Sequence, residues 1–156
     1  MSSVTYSHIV ADKKHVDALA SLGQEMHAES SYSKLEFDPK RVFETFDWYL
    51  NDDNRTAIVA WKGDTPVGLY AGYVSKYYFS NDTVANDIAW FVTKGMRGTR
   101  VGLRLLDKFE EWALSKGVKE VRIGYSTDIN PKAFNSLMEK RGYQVVGANY
   151  RLEKKK

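Results

Sequence analysis

A chain of 156 residues that is 43% hydrophobic, 28% charged and 13% aromatic fits one globular domain with a real core, and excludes a disordered or low-complexity protein. With no cysteine, disulfides, thiolate metal sites and a cysteine nucleophile are excluded, and a reducing, cytoplasmic setting is expected. The net charge is only +3, much of it in Lys154-Lys155-Lys156, which reads as a solvated tail rather than a grip on nucleic acid. The N-terminal MSSVTYSHIVADKKH has no apolar core of signal-peptide length, and no run approaches a membrane span, so no membrane partner is expected.

Tyr6 to Val10 reads as a short first strand. Asp12 can cap a following helix whose apolar positions Val16, Leu19, Ala20 and Met26 keep helical spacing, with Gly23 as an internal weak point. His27-Ala28-Glu29 matches half of a zinc deaminase signature, but the cysteine half is missing. Glu29 to Lys34 is a polar connection carrying Tyr32, the kind of loop on which substrate contacts are often placed. Asp38-Pro39 starts a second helix, with Val42, Phe43, Phe46, Tyr49 and Leu50 as its apolar stripe and Asn51 to Asn54 as its end.

The pattern then changes to strands over Thr56–Lys62, Pro66–Phe79 and Val84–Thr93. The turns Lys62-Gly63-Asp64 and Ser80 to Thr83 make the three an antiparallel meander. A short basic turn follows, and then a helix over Thr99–Lys116 with Leu105, Leu106, Phe109, Trp112 and Ala113 on one face and Gly117 as its stop. Val118–Tyr125 reads as a strand parallel to its predecessor through a right-handed crossover. Asn130-Pro131 starts a last helix, with Phe134, Leu137 and Met138 turned inward and Gly142 at its end. Tyr143–Leu152 is expected to close the chain as a last strand. The order is β-α-α-β-β-β-α-β-α-β, a mixed α/β (α+β) domain spanning the whole chain.

The chemistry concentrates between Asp87 and Leu106. An apolar strand feeding a glycine-bearing turn and then a helix points backbone N–H groups at one spot, and the helix dipole adds positive charge there. Such a turn suits an anion, most naturally a phosphate. Arg97, Gly98, Thr99, Arg100, Val101 and Gly102 add two guanidinium groups and a hydroxyl to the backbone donors, while an ordinary connection with solvated arginines is the competing reading. Neither Gly-x-Gly-x-x-Gly nor the P-loop pattern occurs. His8, His15 and His27 lack metal-site spacing, so neither a metal centre nor a Ser-His-Asp triad is expected.

With these residues the chain resembles the GCN5-related N-acetyltransferase (GNAT) family. The family's strand, [Gln/Arg]-x-x-Gly-x-[Gly/Ala] turn and helix read here as Phe91-Val92-Thr93, Arg97 to Gly102 and the helix beyond. Asn130, Ala133 and the Glu139-Lys140-Arg141-Gly142-Tyr143 ending match as well. Arg100 stands where the motif's first glycine is usual, and Leu137 and Met138 fill the region where many members carry a tyrosine acid.

The resemblance implies an acyl-CoA N-acyltransferase fold and an acetyl-CoA-dependent N-acetyltransferase acting on a primary amine of a small molecule, peptide or protein. It implies that Phe91, Val92 and Thr93 pair with the pantetheine, and that one of the first two amides polarises the thioester. By the same resemblance the turn residues Arg97, Gly98, Thr99, Arg100, Val101 and Gly102 hold the pyrophosphate, and Asn130 touches the pantetheine or thioester. Asp87 is the candidate base, with hairpin capping as its alternative role. Tyr125 and then Tyr143 are the candidate acids. Tyr70 and Tyr73 would wall the acceptor near Glu29 to Tyr32. The rivals are a longer acyl donor, and a CoA-binding or structural protein with reduced or lost catalysis. Nucleic acid is not expected as a partner, and a homodimer is left open.

Overall fold

The apolar runs between Arg55 and Val92 build the centre of one sheet. The computed structural model describes residues 3–9, 12–124 and 130–154, with the backbone alone at 48–50. Strands β1 (Val4–His8), β2 (Arg55–Lys62), β3 (Thr65–Lys76), β4 (Thr83–Val92) and β5 (Glu120–Arg122) lie in sequence order across the sheet. The first four are antiparallel, as the short turns require, and β5 joins β4 in parallel after a helical crossover.

Two helices cover each face. Helix α1 (Lys13–Glu29) starts at Asp12, whose carboxylate accepts from the His15 amide at 2.9 Å, and runs unbroken through Gly23. Helix α2 (Pro39–Leu50) starts where Asp38 accepts from the Lys40 amide at 3.0 Å. These two pack Leu19, Leu22 and Phe46 against Val59, Leu69 and Phe91. On the other face α3 (Val101–Ser115) and α4 (Pro131–Lys140) bring Leu105, Leu106, Phe109 and Met138 against Ile58, Tyr70 and Ala85. Burying side chains of this size stabilises the fold by about 2 kcal/mol each. The core is thus two layers divided by the sheet.

Two expectations need correction. The strand expected over Val118–Tyr125 pairs only as Glu120–Arg122, against Val84–Asn86. A register shift between Ala71 and Gly72 marks a bulge in the β3–β4 ladder, where Gly72 faces Asp87 and Ala71 faces Ala89. Bulges bend and twist a strand, and beyond this one β4 has no β5 partner. The closing strand expected over Tyr143–Leu152 forms no ladder with the sheet, which ends at β5 among the described residues.

Candidate acetyl-CoA site

The site is built on the divergence of β4 and β5. β4 continues from Asn86 to Val92 with no strand on its β5 side among the described residues. Asp87 pins the start of this gap, its Oδ1 accepting from the Gly124 amide at 2.8 Å. Asp87 is partly buried, and burial raises its pKa above the ordinary carboxylate value while the Gly124 hydrogen bond pulls the other way.

The backbone of β4 supplies donors to the gap. The Thr93 amide donates to Val67 O at 3.1 Å, so by the alternation of an antiparallel ladder the Phe91 and Thr93 amides face β3. Those of Trp90 and Val92 face the open side. Of the three residues expected to pair with pantetheine, Val92 therefore presents its amide to the gap. Phe91 contributes a ring instead, which lies 5.4 Å from the Arg97 guanidinium. Trp90 has no place among the sequence candidates, because its facing depends on the ladder rather than on residue type. Its indole Nε1 donates to Gly102 O at 3.2 Å, tying β4 to the first turn of α3.

Between β4 and α3 a short 3₁₀ turn, Lys94–Met96, is followed by Gly98 in the left-handed region (φ +82°), where a side chain would be strained. Arg100, in place of the motif's glycine, has φ −84° and is compatible with any residue. The Thr99 hydroxyl accepts from the Val101 amide at 3.4 Å. A Cβ at Gly102 would meet only Val92 Cγ2 at 3.5 Å and Trp90 Nε1 at 3.9 Å, so a methyl fits and a longer side chain would run into the gap.

The two turn arginines do different things. Arg97 donates through Nε to Val92 O at 2.9 Å, through Nη2 to Glu29 Oε2 at 2.6 Å, and through Nη1 to Glu29 Oε1. This bidentate pair holds the Glu29 carboxyl below its ordinary pKa and commits Arg97 to joining α1 to the turn. Arg100 has no ion pair among the described residues, nor have Arg104 and Lys108, which follow it at four-residue spacing on α3. Arg100, Arg104, Thr99 and Tyr6 line a cavity of about 500 Å³ at the start of α3.

The remaining candidates fall elsewhere. Asn130 adopts φ 57° and ψ 67° and caps α4, its Oδ1 accepting from the Ala133 amide at 3.3 Å. The Tyr143 hydroxyl donates to Glu110 Oε2 at 2.8 Å, and burial with that carboxylate raises its pKa far above the phenol value. Arg141 lies beside the same Glu110 and donates to Asp107 Oδ1 at 2.7 Å. Tyr125 lies outside the described residues. Tyr70, expected on the acceptor wall, is instead fully buried beneath α3, stacked on Phe109 at 4.3 Å. Among the described residues its hydroxyl has no hydrogen-bond partner, and Asp87, Tyr143 and Glu110 are the charged or titratable groups that act on it.

A parallel strand pair that opens at a bulge, with the free edge of one strand running into a helix N-terminus, distinguishes this architecture from an ordinary α/β crossover. Residues 22–143 match the acetyltransferase (GNAT) family. This chain belongs to that family. No curated protein matches the chain. Among solved structures, the aminoglycoside acetyltransferase AAC(6')-Iy in complex with a CoA-linked bisubstrate analogue is similar over 99% of both chains, with TM-score 0.77 and 13% identity. A transcriptional regulator from Bacillus halodurans is similar over 97% of this chain and 99% of its own, with TM-score 0.79 and 18% identity. A putative acetyl transferase from Pyrococcus furiosus is similar over 96% and 99%, with TM-score 0.69 and 22% identity.

As a GNAT protein the chain is an acetyltransferase with acetyl-CoA as its cofactor. Its residues fit that group. The unpaired β4 edge offers Trp90 and Val92 amides, the α3 N-terminus offers backbone donors, and Arg100 is uncommitted cation among the described residues.

Proposed function

We propose that this GNAT protein transfers an acetyl group to a primary amine, holding acetyl-CoA along the open edge of β4 with its pyrophosphate at the start of α3. The observation that carries this reading is the continuation of β4 to Val92 after β5 has ended at Arg122. An extended chain with amide groups can complete that edge as a strand would. Acetyl-CoA supplies an activated thioester and a good leaving thiolate.

The residues divide the work as follows. The amides of Gly102 and its neighbours, with the Arg100 guanidinium, bind the pyrophosphate, and Gly98 and Thr99 shape the turn. Asn130 sets the start of α4 across the gap. The Val92 amide, or that of Trp90, donates to the carbonyl oxygen that gains charge as the amine nitrogen bonds to the acetyl carbon. The C–S bond then breaks. Asp87 accepts the proton the amine loses, directly or through water, a role its raised pKa favours. For returning a proton to sulfur, Tyr125 ranks before Tyr143, whose hydroxyl is engaged by Glu110.

The acceptor would lie near Glu29 to Tyr32, and the Arg97–Glu29 pair, which ties this region to the turn ahead of α3, supports that reading. The test is thiol release from acetyl-CoA with a panel of small amines and peptides, a clean readout because the chain has no cysteine. Release dependent on one amine class supports the reading. CoA-selective binding without release for any amine would assign the chain to the non-catalytic alternative.

A further inference from the structure

Helix α3 begins with cations where a helix usually collects acids. Arg100 stands at its N-cap, Arg104 and Lys108 follow at four-residue spacing, and its first turn holds no acidic residue. The positive end of the helix dipole makes this arrangement unfavourable unless an anion offsets it. The charges of α3 are also sorted by side. Asp107 and Glu110 turn towards Arg141 after α4, whereas Arg104 and Lys108 turn towards β1. Both of these cations are exposed, and neither has an ion pair among the described residues.

A groove runs between this side of α3 and β1. One cavity of about 500 Å³ lies between Val4 and Tyr6 on the strand and Arg100 and Arg104 on the helix. A second, of about 320 Å³, lies between Tyr6 and His8 on the strand and Lys108 and Glu111 on the helix. Tyr6 and Lys108 line both, so the two meet there. β1 is the outer strand of the sheet, with a ladder to β2 alone among the described residues. Its free edge and the cationic row of α3 therefore run side by side. Residues four apart on a helix repeat about every 6 Å along its axis. Same-face residues of an extended chain repeat about every 6.7 Å. A strand laid along β1 thus brings alternate side chains into step with Arg104 and Lys108. Glu111 ends the row.

We propose that the β1–α3 groove docks an extended acidic segment of a partner protein, which adds a strand to the β1 edge and sets alternate carboxylates against Arg104 and Lys108. The edge supplies main-chain hydrogen bonds, and the cations supply the choice of side chain. The docked carboxylates offset the charge that the start of α3 otherwise carries alone. Glu111 repels a further acidic position, so the groove takes a short acidic pattern in an extended peptide and not a continuous polyanion such as nucleic acid. Arg100 stays with the turn ahead of α3, and the docking site is independent of the acyl-transfer reading.

The test titrates the whole chain with labelled peptides of about ten residues, reading anisotropy and amide hydrogen exchange. A peptide of alternating glutamate and threonine should bind about 10-fold or more tighter than its block isomer, with all glutamates first, and should slow exchange in residues 4–8. Arg104→Glu with Lys108→Glu should weaken it by about 100-fold while the Tm holds or rises, because acids suit the start of a helix. Glu111→Lys should tighten it several-fold, a gain that misfolding cannot produce. Equal binding of the two isomers, or of a thymidine oligomer, would overturn the proposal. So would affinity that these variants leave unchanged, binding without protection of residues 4–8, or loss of the peptide when acetyl-CoA is saturating.

Discussion

Arg97 and Glu29, 68 residues apart, form a two-point ion pair that fastens the end of α1 to the turn ahead of α3. Because Arg97 also donates to Val92 O, this one side chain sets the spacing of the end of α1, the β4 edge and the turn ahead of α3.

Glu29→Gln should therefore raise the KM for acetyl-CoA more than it lowers kcat. The partly exposed pair should contribute about 1 kcal/mol to stability. The Glu29 pKa is lowered in the folded state, so this contribution is present above the ordinary value of 4.5 and is lost as pH falls through the depressed one. Urea unfolding at neutral and strongly acid pH should show the wild-type advantage over the variant only at the former.

Asp87 joins two roles that substitution can part. Asp87→Asn keeps an oxygen for the Gly124 amide but cannot take a proton. If Asp87 is the base, kcat/KM falls about 100-fold or more and the limb of its pH profile that reports the base disappears. An unaltered profile would leave Asp87 only as the pin between β4 and Gly124. The folded-state pKa is raised, so stability declines as pH rises from the ordinary 3.8 through the raised value. The Asn variant should escape this decline.

Tyr70 buries a hydroxyl that no neighbour among the described residues satisfies. Tyr70→Phe should leave unfolding free energy within about 1 kcal/mol of wild type, or raise it, since an unpaired buried polar group is removed. A loss well beyond that in thermal or urea unfolding would show that the hydroxyl has a partner. Tyr70→Ala should cost about 3–5 kcal/mol through the cavity it leaves against Phe109 and Trp90.

Gly72 and Gly102 should respond oppositely to a methyl group. A Cβ at Gly72 would lie 2.4 Å from Asn86 O and 2.4 Å from Phe109 Cε1, so Gly72→Ala should destabilise by about 3 kcal/mol and disturb the bulge opposite Asp87. Gly102→Ala meets nothing closer than 3.5 Å and should unfold like wild type. Parallel thermal melts of the two variants decide this.

Local patterning made most of the fold legible. Asp38-Pro39 starts α2 as read, the three meander strands fall where alternation and turns put them, and the Arg97–Gly102 turn opens α3. What could not be read depends on partners distant in sequence. Nothing near Arg97 points to Glu29, nor anything near Asp87 to Gly124. Tyr70 and Tyr73 look equivalent as aromatics in a strand, yet alternation turns Tyr70 into the core under α3. Period-2 patterning in Tyr143–Leu152 reads as a strand, yet the segment forms no ladder among the described residues. The β4–β5 ladder ends beside a bulge whose local trace is Gly72.

The open β4 edge and the α3 N-terminus are the proposed seat of acetyl-CoA, and thermal denaturation with ligand tests that most directly. At about 100 times the dissociation constant, acetyl-CoA or CoA should add about 2.7 kcal/mol and raise the Tm by roughly 5–10 °C, while ATP at the same concentration should not. Gly102→Ala should retain the rise, and Gly102→Glu, which puts a carboxylate at the pyrophosphate position, should abolish it. Equal shifts with ATP, no shift with either CoA form, or an undiminished rise in Gly102→Glu would contradict the assignment.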